Sequence, residues 1–110
     1  MFRLILASAS PQRKTLLAGL GLVFDVVPSR IDEATCTECD PVRRAGILAA
    51  LKARDIATQH PGCVVIGCDT LVVAQDGSLL EKPRDEDEAR KMLGCQSGKT
   101  SVVHSAVTVI

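Results

Sequence analysis

The chain alternates short apolar runs with amphipathic stretches opened by proline. Residues 2–7 (FRLILA) are predicted to form a buried strand. Ser10 followed by Pro11 marks a helix start, because a serine side chain caps free N–H groups and proline suits the first helical position. Leu16, Leu17 and Leu20 make its apolar stripe, and Gly19 and Gly21 stop it. Residues 22–27 (LVFDVV) are predicted as a second strand closed by Pro28. Residues 29–40 show no period and read as loop. Asp40-Pro41 repeats the cap-and-proline signal, so a long helix is predicted to about Thr58, ended by His60-Pro61-Gly62. Residues 63–68 (CVVIGC) are apolar enough for a central strand. Residues 71–74 and 78–80 flank Asp76-Gly77, a hairpin turn signal. Residues 85–93, opened by acids and closed by Gly94, predict a third helix, and residues 100–110 (TSVVHSAVTVI) a last strand.

Strands alternating with helices predict an α/β domain, a layered mixed sheet with flanking helices. The final strand pattern runs to Ile110 without a turn or polar tail, which suggests a fold truncated at its C-terminus. A length of 110 residues predicts a single domain. Folded-surface scaling gives roughly 5,900 Å² exposed, from about 17,000 Å² unfolded. Thirteen basic and thirteen acidic residues cancel, which argues against a nucleic-acid polymer or an anionic membrane as partner. Two phenylalanines and no Trp or Tyr leave few platforms for base stacking. No run approaches the ~20 apolar residues of a membrane span. Five scattered cysteines suit free thiols in a reducing cytoplasm better than a disulfide framework.

Three places could carry chemistry. In Leu6-Ala7-Ser8-Ala9-Ser10-Pro11-Gln12-Arg13-Lys14, two cations stand at a helix N-terminus, where the macrodipole favours negative charge. An anion held by free N–H groups, Ser8, Ser10 and Arg13 explains them; a capping serine with two solvated cations explains them equally well. Lys52 falls on the inward arc of the long helix with Val42, Ala45, Leu48, Ala49, Ala53 and Ile56, while Arg43, Arg44, Arg54 and Asp55 point elsewhere. A lysine there snorkels, the commoner outcome, or reaches into a pocket. Asp69 follows the central strand, where α/β sheets gather ligands. It could bind a divalent cation or act as a base, or open an Asx turn. Lys82 before Pro83 could meet a phosphate, although a solvated loop lysine is the default, and Asp32-Glu33 could supply metal oxygens or be loop charge. Cys36 and Cys39 lack a second ligand pair for zinc. Gly98-Lys99-Thr100 lacks the earlier glycine of a P-loop and leads into a strand.

Taken together the blocks LASASPQR with Leu16-Leu17, VVPS with Asp32-Glu33, Lys52-Ala53, IGCDT, Glu81-Lys82-Pro83 and the segment from Ala89 to Ser97-Gly98 resemble the Maf family of nucleotide pyrophosphatases, also described as septum-formation inhibitors. The resemblance implies a Maf/ITPase-like fold that hydrolyses nucleoside triphosphates to monophosphate and pyrophosphate with a divalent cation, Mg or Mn. It implies a phosphate loop of Ser8, Ser10, Gln12 and Arg13, further cleft residues Glu33, Lys52 and Lys82, Asp69 as proton acceptor, and Asp69 with Glu33 at the metal. Thr70 is similar to the branch acting on dTTP and UTP. Gln12 stands where the family commonly has arginine, and Ser101 where many members have histidine. Family members are nearly twice as long, and their second half completes the sheet and the cleft.

The expectation is therefore a cytoplasmic dTTP/UTP-type pyrophosphatase whose partner is a nucleoside triphosphate, with a homodimer as an admissible assembly. Two alternatives stand beside it. One is a non-catalytic nucleotide-binding or cell-division module. The other is a fragment that buries an unpaired sheet edge in an oligomer.

Overall fold

Capping chemistry sets the helix starts. Ser10 Oγ accepts from the Arg13 amide at 3.4 Å, Asp40 from the Arg43 amide at 2.9 Å, and Asp85 from the Glu88 amide at 2.8 Å. The computed structural model describes residues 3–80 and 83–110. In chain order these form β1 (Leu4–Ala7), α1 (Pro11–Ala18), β2 (Asp25–Val26), a 3₁₀ turn (Glu33–Thr35), α2 (Pro41–Gln59), β3 (Val64–Val73), β4 (Leu79–Leu80), α3 (Glu86–Gln96) and β5 (Val102–Val109). The α/β class and the mixed, helix-flanked sheet are as the sequence predicts.

β3 organises the sheet. One edge pairs with β5 in antiparallel fashion from Ile66–Val109 to Val73–Val102. The other edge is shared: β1 runs parallel to it up to the Ala7–Gly67 pair, and β4 returns antiparallel opposite Val72 and Val73. Between the Ala7–Gly67 and Val72–Leu80 pairs, no strand among the described residues pairs with Cys68 to Leu71 on that edge. β2 pairs only Asp25 and Val26 with β1, at the outer edge.

The core lies between the sheet and α2. Ile5, Ala7, Ala53, Ile56 and Val65 form its cluster. Gly67 sets the approach: a Cβ there would stand 2.7 Å from the Ala53 amide nitrogen and closer still to the Ala49 carbonyl. Ala45, Ala49 and Ala53, all buried, are the small residues that let helix and strand come this near.

Several predicted elements change. The expected second strand, 22–27, keeps two residues, and Val23 is 94% exposed, because only β1 offers it an edge. The expected third strand and first hairpin arm fuse into the ten-residue β3, held straight by β5. α3 runs through Gly94 to Gln96; glycine in an exposed helix costs only about 0.5–1 kcal/mol, too little to end it. The α1 stripe is not core: Leu16 and Leu20 are 73% and 72% exposed, lining an open groove beside Ile66, Cys68 and Val107. Val42, in the first turn of α2, is also exposed.

The chain exposes 7559 Å², well above the surface a compact domain of this size would show. Its radius of gyration is 15.5 Å, against about 13 Å expected. α3 buries no residue, and Val103, Val107 and Val109 face outward from β5. No helix among the described residues is long and apolar enough to cross a membrane.

Candidate active site

The alternation along β3 aims the chemistry. Val65, Gly67 and Asp69 are buried on the α2 side, and Cys68 and Thr70 point to the other face. Where Gly67 brings α2 close, the lysine beside Ala53 lies opposite the acid two positions along the strand. Lys52 Nζ donates to Asp69 Oδ1 at 3.0 Å and pairs with Glu33 Oε1 at 2.6 Å. The Lys52 side chain is 14% exposed and Asp69's 6%. Lys52 therefore does not snorkel; it reaches inward, because two carboxylates wait there.

Asp69 is not at the end of its own strand, as the sequence suggests, nor in a turn. It sits mid-strand, beyond the carboxyl end of β1, where no strand among the described residues pairs with that edge of β3. Its Oδ2 is buried and has no hydrogen-bond partner among the described residues. A buried acceptor left unpaired costs about 1–3 kcal/mol, so this oxygen is fit to receive a ligand.

The loop after β1 closes the other side. Ser8, 5% exposed, accepts from Arg13 Nη1 at 3.1 Å and from the Ser10 amide at 3.2 Å. Ser10 Oγ also donates to Gln12 Oε1 at 3.1 Å. Arg13 reaches across to β3 and donates to Thr70 Oγ1 at 3.0 Å, and Thr70 bonds Ser105 on β5 at 3.1 Å. A cation that opposes the α1 dipole is thus held by two hydroxyls. Lys14, its neighbour, is exposed.

A cleft of about 720 Å³ joins these parts: Ser8, Ser10, Gln12, Arg13, Glu33, Lys52, Asp69 and Thr70 all line it. Of the site residues expected from the sequence, Lys82 lies outside the described residues, as do its neighbour Glu81 and, in the first strand, Phe2. Ile31, Leu71, Leu79 and Leu80 add an apolar wall. Arg44 lines the cleft too, although the sequence reading turned it away. The overlooked signal is its spacing: Arg44, Leu48 and Lys52 stand at i, i+4 and i+8, on one helix face.

Burial is the largest single effect on Lys52 and would lower its pKa; the hydrogen bonds and charges of Glu33 and Asp69 together outweigh it, and the net shift is upward from 10.5. Burial raises the Cys68 thiol pKa, partly offset by Arg13 and Lys52. A group whose folded pKa exceeds its unfolded value stabilises the fold below the unfolded value and loses that contribution as pH rises through the folded one. Urea unfolding should therefore show stability falling as pH climbs beyond 10.5. Lys52→Met should lack that alkaline step, and at neutral pH should be less stable by about 3–5 kcal/mol, because Asp69 is left buried and unpaired. Equal stability at neutral pH would show that the pair carries no such weight.

A divalent cation bound with a polyphosphate needs only one or two protein carboxylates, the rest of its shell being phosphate and water. Asp69, whose Oδ2 has no partner among the described residues, and Glu33 are carboxylates of the kind such a cation needs. Among the described residues no group of three or more His, Cys, Asp or Glu is placed to hold a metal ion by itself.

Residues 3–110 match the family described as Maf-like protein. The chain belongs to the Maf-like family. It is 53% identical over 108 residues to a dTTP/UTP pyrophosphatase of Deinococcus radiodurans, covering 98% of this chain and 54% of that protein. A dTTP/UTP pyrophosphatase of Moorella thermoacetica is 46% identical over 110 residues, covering all of this chain and 56% of the relative. The chain thus spans about half the length of the curated relatives it matches. A solved nucleoside-triphosphatase / dITP/XTP pyrophosphatase from Mycobacterium abscessus is 14% identical, with a TM-score of 0.48, over 98% of this chain and 72% of that one.

Proposed function

We propose that this Maf-like chain is a nucleoside triphosphate pyrophosphatase of the dTTP/UTP type, releasing a nucleoside monophosphate and pyrophosphate. The observation that carries the reading is the buried Lys52–Asp69 pair, with Asp69 Oδ2 unpartnered among the described residues, in one cleft with Ser8, Ser10 and Arg13. A cationic loop suits a polyphosphate, and a desolvated carboxylate with a free oxygen suits a water nucleophile. The names of the relatives support the same substrate class, as does Thr70 beside Asp69.

In this reading Ser8, Ser10, Gln12 and Arg13 hold the phosphates, with Arg13 stiffened by Thr70. Asp69 Oδ2 orients a water in line with the α-phosphorus and takes its proton. The new P–O bond forms from that water as the bond to the bridging oxygen breaks, and pyrophosphate departs. Lys52 balances charge on Asp69 and on the developing anion, a role in which preorganised groups are worth more than in water. Lys82 is proposed as a further phosphate contact. A divalent cation, Mg or Mn, would be held by Asp69 and Glu33 and would neutralise polyphosphate charge when bound.

The test is direct. The purified chain is incubated with dTTP, UTP, dCTP and ATP, with and without Mg or Mn, and pyrophosphate is measured. Metal-dependent release, fastest with dTTP and UTP, is expected. Nucleotide binding without release would favour a non-catalytic module instead.

A further inference from the structure

The loop that carries Glu33 has little structure of its own. Between Ser29 and Asp40 its only regular element is the 3₁₀ turn Glu33–Thr35, capped by Asp32 Oδ1 on the Ala34 amide at 3.0 Å. One helix tethers it at two points. Asp55 of α2 accepts from Ser29 Oγ at 3.0 Å and from the Arg30 amide at 3.1 Å. Arg44 of α2 spans the turn itself, donating from Nη1 to the Cys36 carbonyl at 2.7 Å and from Nη2 to the Glu33 carbonyl at 3.1 Å. Helix stability does not call for a cation there, because Arg44 lies one turn after the Asp40 cap, at the end where the macrodipole disfavours positive charge. A guanidinium fork suits two carbonyls at fixed spacing in a way an ammonium does not.

We propose that Arg44 is a positioning residue: by gripping the carbonyls on both sides of the 3₁₀ turn, it fixes where the Glu33 carboxylate meets Lys52. Glu33 is half exposed on a loop, and its 2.6 Å contact with a lysine that is mostly buried requires the loop to hold one place. Three residues from α2 thus frame one loop: Asp55 at its start, Arg44 on the turn, and Lys52 on the side chain the turn presents. The catalytic consequence rests on the pyrophosphatase reading; the positioning itself does not.

A double-mutant cycle in urea unfolding tests it without any activity. If Arg44 acts through Glu33, Arg44→Ala already loses the Glu33–Lys52 contact. Adding Glu33→Gln should then move the midpoint little further, although Glu33→Gln alone lowers it. Arg43→Ala, an exposed neighbour, should change nothing. Additive midpoint shifts would overturn the proposal, since Arg44 would then act on the fold independently of Glu33. Arg44→Lys keeps charge and stem and guards against an alanine variant that fails to fold; it should fall between wild type and alanine. Unfolding of both variants would mark Arg44 as a fold residue and end the proposal.

With dTTP as substrate, Arg44→Ala should lower kcat on the order of tenfold to a hundredfold with KM little changed, as expected for a misplaced group. A raised KM together with an additive unfolding cycle would make Arg44 a direct nucleotide contact and refute positioning. If the wild-type chain shows no turnover, the pyrophosphatase reading fails alone, and the unfolding cycle still decides the role of Arg44.

Discussion

Gly67→Ala should damage stability and activity together. The added methyl would stand 2.7 Å from the Ala53 nitrogen and closer to the Ala49 oxygen. Both are backbone atoms of α2, so no flexible side chain can swing away; helix or strand must move. Overpacking of this kind costs typically about 1–3 kcal/mol. For a domain of this size each kcal/mol lowers Tm by roughly 4–8 °C. Gly67 does not have a positive φ, so the cost is steric and not conformational. Moving α2 also moves Lys52 away from Asp69, two residues along the same face. A shift of about 1 Å at a reacting group can cost on the order of 10²-fold in rate. Thermal unfolding followed by circular dichroism, with pyrophosphate release on the same sample, checks both halves. A variant with wild-type Tm would show that the contact between α2 and β3 is looser than described.

The second large effect is chemical. Asp69→Asn keeps size and shape but removes the negative charge and the basic oxygen. Loss of a general base costs typically about 10²–10⁴-fold, so metal-dependent release should fall by that range. Folding should survive: the amide oxygen can still accept from Lys52, and Lys52 keeps Glu33. An unaltered circular dichroism spectrum with collapsed kcat is the expected pair of results. Turnover at the wild-type rate would remove Asp69 from the role assigned to it.

The two variants probe different links. Gly67→Ala reaches the chemistry through packing, and Asp69→Asn leaves packing alone. If the first abolishes activity at a temperature where it is still folded, the distance between Lys52 and Asp69 is what activity depends on. If it loses activity only as it unfolds, the fold as a whole is what the glycine protects.

Local signals in the sequence were sound where the chain decides matters locally. The caps at Ser10 and Asp40, the Asp76-Gly77 hairpin and, Val42 apart, the apolar inward arc of α2 depend on neighbours a few residues away, and each is present. The cations at the start of α1 and the lysine on an inward arc already marked two parts of the cleft. What failed depended on distant partners. The strand expected at 22–27 shrank because a strand needs an edge to pair with. The stripe Leu16, Leu17 and Leu20 looked like core, yet a stripe is buried only where a second layer covers it. Arg44 looked solvated because a single helix face does not show that a loop will fold back on it.

From its residues alone this chain could be read as an α/β fold with a polyphosphate-suited loop, because capping, turn chemistry and periodicity act over short distances. Tertiary structure alone decided that β3 runs unbroken through Asp69 and that β1 stops short of it. It also decided that Gly67 draws α2 in until Lys52 meets two carboxylates. Those outcomes depend on backbone pairing and close packing between segments far apart in the chain, and no pattern of neighbouring residues records the distance between two such segments.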